Sequence, residues 1–235
     1  MKRCYYCGKM ANSKEHLPPK QMFKGFNVIN VTVKSCNEHN SSKSFEDDSI
    51  IKSMIMAIEK SIDIVKTPEI EISINNANKK YNQVKNKVTE EKLFYDKDNN
   101  IICLDYSIDL NKWIKKLSAG MVYYKTKYFD EYNKYDDSKV FERNSFTKNK
   151  KYYSDYLDER RIKLDLERLS EYGEWKDSWI LKNNYPENIY FFKYRIIKSH
   201  ILFKHVFYKS FVFYNLIEIS EVTREKIIER KSNSA

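Results

Sequence analysis

From about Phe45 onward, the order of apolar and polar residues is that of ordinary helices and strands. Acidic residues at positions 46–48 precede the run IIKSMIMAIEKSIDIV, whose apolar residues recur near the helical period before Pro68 ends the pattern. A second helix is predicted over DLNKWIKKLSAGMVYYKTKYFDEY, with Asp109 near its start, and a third around residues 152–170. Helices are therefore expected through the middle of the chain.

Two regions of the chain have the residue pattern of β-strands. The segments KLFYD and IICLDYS flank residues 97–100, which predicts a hairpin. After Pro186, the segments IYFFKYRIIK, HILFKHVFY and SFVFYNLIEI are aromatic and β-branched, which predicts two or three antiparallel strands. Helices followed by an antiparallel sheet indicate the α+β class.

Composition narrows the classes of function. The chain has 235 residues, of which 41% are hydrophobic and 32% charged, so it is expected to fold into a globular protein. Its net charge of +10 favours a polyanionic partner such as nucleic acid. A total of 4 Gly and the absence of a nucleotide-binding fingerprint argue against an ATPase. No run approaches the length of a membrane span, so a soluble cytoplasmic protein is expected.

Charge and special residues concentrate at the N-terminus. Residues 1–44 carry eight basic side chains against two acidic ones, together with three of the 4 Cys and two of the 4 His. Too few cysteines are present for a disulfide scaffold of this size, and their clustering indicates metal binding in a reducing compartment. The chemistry is therefore expected in this segment.

Two pairs of metal-ligating residues share one spacing. Cys4 and Cys7, and then Cys36 and His39, each enclose two residues, which lets both side chains of a pair reach one tetrahedral ion. The predicted ion is a structural Zn²⁺. The 28 residues between the pairs exceed the usual interval of a zinc ribbon, so a folded insertion is expected, and Gly8 can supply the tight turn after the first pair.

The insertion and the second pair resemble the HNH endonuclease superfamily. Its ββα-metal fold has an acidic residue and a His at the end of the first strand, often followed by Pro, as in the segment EHLP at residues 15–18. Its closing motif is a zinc pair, then His or Asn, then two residues and Lys, as in CNEHNSSK at residues 36–43. The resemblance covers roughly residues 4–44, and FNVINVTVKSC would form the second strand.

The resemblance implies a role for each matching residue. His16 would be the general base, and Glu15 and Asn40 would bind a catalytic divalent cation. A neutral imidazole can accept a proton from water near neutral pH, and ligands that are all oxygen atoms suit Mg²⁺ or Mn²⁺. The zinc ligands would be Cys4, Cys7, Cys36 and His39.

The chain departs from the family pattern at three points. His39 stands where the zinc pair often has Cys, and Asn40 replaces the terminal His of the motif; both are chemically acceptable. The middle Asn, which helps to hold the base, is either Asn27 or Asn30, and Asn30 is preferred. Three lysines, Lys20, Lys34 and Lys43, are candidates for phosphate contacts.

The sequence thus predicts an HNH module over residues 1–48 and an α+β accessory domain over residues 49–235. The expected function is metal-dependent hydrolysis of phosphodiester bonds, most simply in DNA with RNA as the alternative polymer. Such a module resembles nuclease effectors of antiphage or mobile-element systems. The alternative is a zinc-stabilised nucleic-acid-binding or adaptor module without catalysis. The accessory domain could position DNA, act as a sensor, or dock a protein partner or a second copy of the chain.

Other candidate residues receive simpler interpretations. Cys103 is expected to be a buried strand residue. His200 and His205 are five residues apart in a predicted strand, so they fall on opposite faces and are poor co-ligands. The aromatic content of 15% allows base-stacking platforms at KKYYSDY and FFKYRIIK, but a core role is the preferred interpretation.

Overall fold

The computed structural model describes residues 2–40, 44–60, 66–81, 93–95, 101–104, 110–143, 174–177, 179 and 185–229. Its helices are α1 (Asn37–Asn40), α2 (Ser44–Lys60), α3 (Pro68–Tyr81), α4 (Leu110–Thr126) and α5 (Glu221–Glu229), with a 3-10 helix over Lys20–Phe23. Its strands are β1 (Ser13–His16), β2 (Thr32–Ser35), β3 (Leu93–Tyr95), β4 (Ile101–Leu104), β5 (Lys134–Arg143), β6 (Lys176–Asp177), β7 (Tyr190–Ile197), β8 (His200–Phe207) and β9 (Phe211–Glu218). This mixture is consistent with the predicted α+β class.

A short two-stranded ribbon dominates the N-terminal segment. Strands β1 and β2 pair antiparallel, with Glu15 opposite Val33 and His16 opposite Thr32. Because successive side chains of a strand point to opposite faces, Glu15 and Val33 lie on the buried face, and His16 and Thr32 lie on the outer face. Two side chains that the sequence places next to each other therefore point in different directions.

An antiparallel sheet forms the C-terminal part, with strand order β5-β9-β8-β7-β6. Strands β7, β8 and β9 follow one another through tight turns, and β6 adds an edge of only two residues. The prediction of two or three antiparallel strands in this region is confirmed, and there are three. Their aromatic residues fill the core: Phe192 and Tyr194 of FFKYRIIK are 1% and 3% exposed, so these two rings are not stacking platforms for bases.

Helix α4 packs between the ribbon and the sheet. Its Trp113 ring lies 5.3 Å from the Phe207 ring of β8, and its indole nitrogen donates to the Asp47 carboxylate of α2 at 2.7 Å. The buried core is continuous and includes residues from both predicted domains. Positions 48 and 49 both lie within α2, so the predicted boundary falls inside one helix.

A tyrosine from the C-terminal part clamps the end of the ribbon. The Tyr185 hydroxyl donates to the Leu17 carbonyl at 2.9 Å and accepts from the Val31 amide at 2.7 Å. Its ring stacks on Phe23 with 4.2 Å between centroids. The chain just beyond His16 is therefore held by a residue far away in sequence.

Several predicted elements are confirmed and others were missed. The hairpin is present as β3 and β4, and the helix predicted after the acidic residues 46–48 is α2. The helix predicted to run to Tyr132 ends at Thr126, because Lys127 takes a left-handed backbone with φ 56 and the Thr126 hydroxyl accepts from the Tyr128 amide. The helix predicted around residues 152–170 lies outside the described residues, as does the side chain of Cys103.

The missed elements have physical explanations. Pro68, interpreted as a stop, is the first residue of α3, a position where its fixed φ and missing N–H suit a helix. Strand β5 is a charged edge strand without alternation, and its register against β9 shifts between Lys134 and Lys139. No helix in the described ranges is long and apolar enough to cross a membrane.

Gly120 is where the ribbon approaches α4 most closely. A Cβ at this position would lie 1.9 Å from Leu17 Cδ1 and 3.3 Å from the Tyr5 ring. We expect Gly120→Ala to lower the free energy of unfolding by about 1–2 kcal/mol, because overpacking a buried Leu outweighs the gain of about 1 kcal/mol in helix propensity. Chemical denaturation measures the change. Asn111→Ala, at an exposed position of the same helix, is the control, and equal gains for both variants would contradict this prediction.

His205 is expected to make the fold sensitive to acid. Its ring is fully buried, with Nε2 2.8 Å from Ser118 Oγ and Nδ1 2.9 Å from the Tyr190 hydroxyl. Burial lowers the pKa of His205 to about 3 from its ordinary 6.5. Between the two pKa values, His205 is protonated in the unfolded chain and neutral in the folded chain. The free energy of unfolding should therefore fall by about 1.4 kcal/mol per pH unit as the pH drops below 6.5.

Denaturant unfolding of wild type and His205→Gln from neutral to acidic pH tests this. The variant should be less stable at neutral pH and should show a flatter dependence on pH. His200→Gln, on the opposite face of the same strand, should keep the wild-type dependence. Parallel curves for all three proteins would contradict the assignment.

Candidate metal centre and active site

Four predicted zinc ligands come together in the structure. The ligand atoms of Cys4, Cys7, Cys36 and His39 all lie within 4.8 Å of one another. Individual separations are 3.2 Å for Cys36 Sγ to His39 Nδ1, 3.8 Å for Cys7 Sγ to Cys36 Sγ, and 3.9 Å for Cys4 Sγ to His39 Nδ1. A tetrahedral Zn²⁺ site with ordinary bond lengths places its ligand atoms about 3.5–3.8 Å apart. The four residues are thus close enough to hold a metal ion, consistent with structural zinc.

Backbone hydrogen bonds hold each ligand pair in a tight turn. The Cys4 amide donates to the Lys9 carbonyl at 2.8 Å, and the Gly8 amide donates to the Cys4 carbonyl at 3.1 Å. Gly8 has φ +71, and a Cβ there would lie 2.6 Å from the Phe129 ring, so both the turn and the packing require glycine. In the second pair, the amides of His39 and Asn40 donate to the Cys36 carbonyl at 3.1 and 3.0 Å.

The thiols of Cys4 and Cys7 have pKa values shifted in opposite directions. Burial would raise the pKa of Cys4, but hydrogen bonds from the amides of Cys7, Tyr6 and Cys36 outweigh it and lower that pKa. Burial and the neighbouring Cys4 sulfur raise the pKa of Cys7 to about 11. Cys4 therefore ionises more readily than Cys7, and a bound metal ion would take both residues as thiolates by displacing their protons.

Glu15 is buried beneath the ribbon. Its carboxylate accepts a hydrogen bond from Ser35 Oγ at 3.3 Å and another from the Tyr5 hydroxyl, and the residue is 7% exposed. The carboxylate raises the pKa of Tyr5, after burial itself, so this phenol stays a donor. Glu15 is therefore held in a fixed position by two hydroxyl groups.

His16 is the last residue of β1 and is half-buried on the outer face. Burial lowers the pKa of His16, and the ammonium of Lys20 adds to the effect against the opposing carboxylate of Glu15. The imidazole is accordingly neutral at neutral pH, which is the form that can accept a proton.

Asn40 lies at the end of α1 and is hydrogen-bonded back to the ribbon. Its Nδ2 donates to the Lys14 carbonyl at 3.2 Å, which uses the nitrogen of the carboxamide and not the oxygen that a cation would bind. The amide of Leu17, just after His16, donates to the Val31 carbonyl at 3.0 Å. The two ends of the motif are therefore held together through the backbone of the ribbon.

The two candidates for the middle Asn of the motif differ in burial. Asn30 precedes Val31 and has a buried Oδ1 without a hydrogen-bond partner, whereas Asn27 is exposed. Across the described part of the chain, no hydrogen bond joins Asn30 to His16. The preference for Asn30 over Asn27 stays a prediction.

The predicted phosphate-binding lysines fall in different environments. Lys34 lies opposite Lys14 in the ribbon, and the pKa of Lys34 is lowered by the ammonium of Lys2, then by desolvation and Lys14. Lys20 is exposed beside His16, and Lys43 lies outside the described residues. The side chains of β1 and β2 that share the face of His16 thus include two closely spaced ammonium groups.

Sequence reasoning missed three residues that support the site. Ser35 and Tyr5 hold Glu15, and Tyr185 holds the chain beyond His16. Alternation along β2 could have placed Ser35 on the buried face. The residues near Tyr185 give no sign of its contact with the ribbon, which is separated from it by more than half of the chain.

Comparison with known proteins assigns no family. A scan against protein-family models, a search of the curated proteins and a search of the solved structures each found no match. The resemblance to HNH endonucleases therefore rests on the sequence motifs of this chain alone.

The four-ligand cluster predicts one zinc ion per chain. We expect Cys36→Ser to lose that zinc and to unfold the N-terminal segment, because metal binding and folding are one equilibrium in small zinc sites. Elemental analysis and limited proteolysis measure the two effects. Cys103→Ser, which leaves both ligand pairs of the sequence intact, should keep the metal. Full zinc content in Cys36→Ser would refute the site.

Proposed function

We propose that the protein is a metal-dependent endonuclease of the HNH type that hydrolyses phosphodiester bonds in DNA. One arrangement supports this proposal: Glu15 and His16 end a short strand, and Asn40 follows the partner strand and is hydrogen-bonded back beside Glu15. The cluster of Cys4, Cys7, Cys36 and His39 joins the start of the segment to its end. This order of two strands, zinc pair and helix is the one that the resemblance implies.

The chemistry begins with His16. Its neutral imidazole would take a proton from a water molecule, whose oxygen attacks the phosphorus while the bond from phosphorus to the leaving sugar oxygen breaks. That oxygen finally takes a proton from solvent, and the imidazolium returns its proton to water. Burial, which keeps His16 neutral, also limits the directions from which water can reach it.

Glu15 and Asn40 would hold a hard divalent cation, Mg²⁺ or Mn²⁺. Carboxylate and carboxamide oxygens fit such an ion, and the Asn40 side chain contacts the backbone of the residue immediately before Glu15. When bound, the cation stabilises negative charge on the leaving oxygen. The hydroxyls of Tyr5 and Ser35 would then orient the Glu15 carboxylate as a ligand.

Basic residues on the outer face of the ribbon would position the DNA. Lys14 and Lys34 lie opposite each other on the face that carries His16, and Lys20 lies close by. Contacts of this type fix the backbone without reading bases, so a low sequence preference is expected.

The contacts of Glu15 also favour a second candidate function. A buried carboxylate that accepts hydrogen bonds from two hydroxyls can also have a purely structural role, that of stabilising the ribbon. The protein would then be a zinc-stabilised nucleic-acid-binding or adaptor module without catalysis. The two candidates differ in what happens when His16 is removed.

The decisive variant is His16→Ala, purified with zinc bound. We expect wild type to nick supercoiled plasmid in Mg²⁺ or Mn²⁺, and the variant to be at least about 10²-fold slower because it lacks the general base. Gel electrophoresis of the plasmid measures the rate, and EDTA should stop it. A matching RNA substrate tests whether the enzyme cuts that polymer instead.

Two controls separate catalysis from folding. His200→Ala removes a histidine outside the site and should cut as wild type does, and zinc content should be equal in all three proteins. Equal nicking by wild type and His16→Ala would remove His16 as the base. Plasmid binding without nicking by wild type in every metal would favour the binding module.

A further inference from the structure

A cavity of about 590 Å³ lies beside the metal cluster and has no role in the hydrolysis proposed above. Its lining includes three cationic side chains, Lys2, Arg3 and Lys127, and the rings of Tyr128 and Tyr132. Phe129, which packs on Gly8 just after the first ligand pair, also lines the cavity. The volume is in the range of pockets that hold a small organic group such as a nucleotide unit.

Tyr132 is the most accessible ring at this cavity, since the Lys226 ammonium lies 3.6 Å from the centre of the Tyr128 ring. Tyr132 is 75% exposed and Tyr128 is 41% exposed, although most large aromatic residues of the described chain are buried. The Tyr132 backbone is nevertheless fixed, because its amide donates to Asp130 Oδ1 at 3.1 Å. Asp130 is itself 2% exposed and accepts from the Thr223 hydroxyl at 2.6 Å. An anchored turn thus presents an exposed ring.

Charge at the cavity favours an anion. Three cations face one carboxylate, that of Glu131. Lys2, which lines the cavity, also lies beside Lys34 on the outer face of the ribbon. The Tyr5 amide donates to the Lys34 carbonyl at 2.8 Å, which keeps the N-terminal segment alongside β2.

We propose that this cavity binds a single-stranded stretch of nucleic acid, with phosphates at Lys2, Arg3 and Lys127 and a base stacked on Tyr132. Aromatic rings within a cationic groove are the usual means of holding unpaired strands, because every base has a face that can stack. The strand would continue over Lys34 and Lys14 towards His16. Only this last step rests on the proposed nuclease function; binding in the cavity does not.

Binding is measured by fluorescence anisotropy with a labelled single-stranded DNA of about 12 nucleotides, a length within the usual site size. The protein is the full chain carrying His16→Ala with zinc bound and no magnesium, so that nothing is cut. Tyr132→Ala should weaken binding by about tenfold, because the ring on which one base stacks is removed. Tyr132→Phe, which keeps the ring, should bind as the parent does.

A charge-matched pair of double variants tests the role of the cations. Lys2→Gln with Arg3→Gln should weaken binding and reduce the slope of log K against log salt by about 0.7 for each phosphate that these cations neutralise. Lys198→Gln with Lys209→Gln removes the same charge from exposed turns of the sheet and should leave that slope unchanged. Zinc content and thermal unfolding show that each variant is folded.

Three outcomes would overturn the proposal. They are equal affinity of Tyr132→Ala and Tyr132→Phe, equal slopes for the two double variants, and tighter binding of duplex than of single-stranded DNA. Binding of a mononucleotide as tight as that of the strand would replace it with a small-ligand site. Single-stranded RNA in the same assay shows whether the sugar matters. Absence of plasmid nicking by wild type in every metal, with binding in the cavity intact, would contradict only the nuclease function.

Discussion

The N-terminal segment depends on one constraint, which is that its two pairs of metal ligands meet at the same point. The pairs begin and end a segment whose two strands have only four residues each. An isolated two-stranded ribbon of this size is marginal in water. Cys36 and His39 contact Cys7 and Cys4, so the second strand and the helix that follows it are held against the first ligand pair. Asn40 is then close enough to donate to the Lys14 carbonyl, next to Glu15.

The cluster alone does not position His16. The chain beyond it is held from the other side by Tyr185. Helix α4 supports the ribbon at Gly120, where the lack of a side chain leaves room for Leu17. Asp47 of α2 and Trp113 of α4 join the helices beneath. The C-terminal part thus has a definite structural role, since it supplies the surface on which the ribbon rests. The buried core is continuous across the predicted domain boundary, which lies inside α2, and the division into two domains stays a prediction.

Local patterns predicted what depends on local forces. The spacing of the four ligands, the periodicity of α2 and the aromatic strands all appear in the structure, because each is encoded within a few residues. Strand β5 was missed because pairing with β9, and not its own alternation, makes it a strand. Tyr185 was missed because its contacts depend on the tertiary fold. The catalytic roles proposed for Glu15, His16 and Asn40 rest on the resemblance, and the structure adds only where these residues lie.

Electrostatics links the site to its expected ligand. Like charges placed directly opposite in a strand pair are destabilising, and Lys14 faces Lys34 in the ribbon, with Lys2 beside it. The mutual repulsion of these three ammonium groups therefore does not stabilise the ribbon. An anion bound across them would remove the repulsion and, by binding only the folded ribbon, would raise its stability. Binding of a polyanion and ordering of the ribbon should therefore be coupled, and salt should weaken both the repulsion and the attraction to the ligand. The same charges that make the free ribbon less stable would make it a receptor for a phosphate backbone.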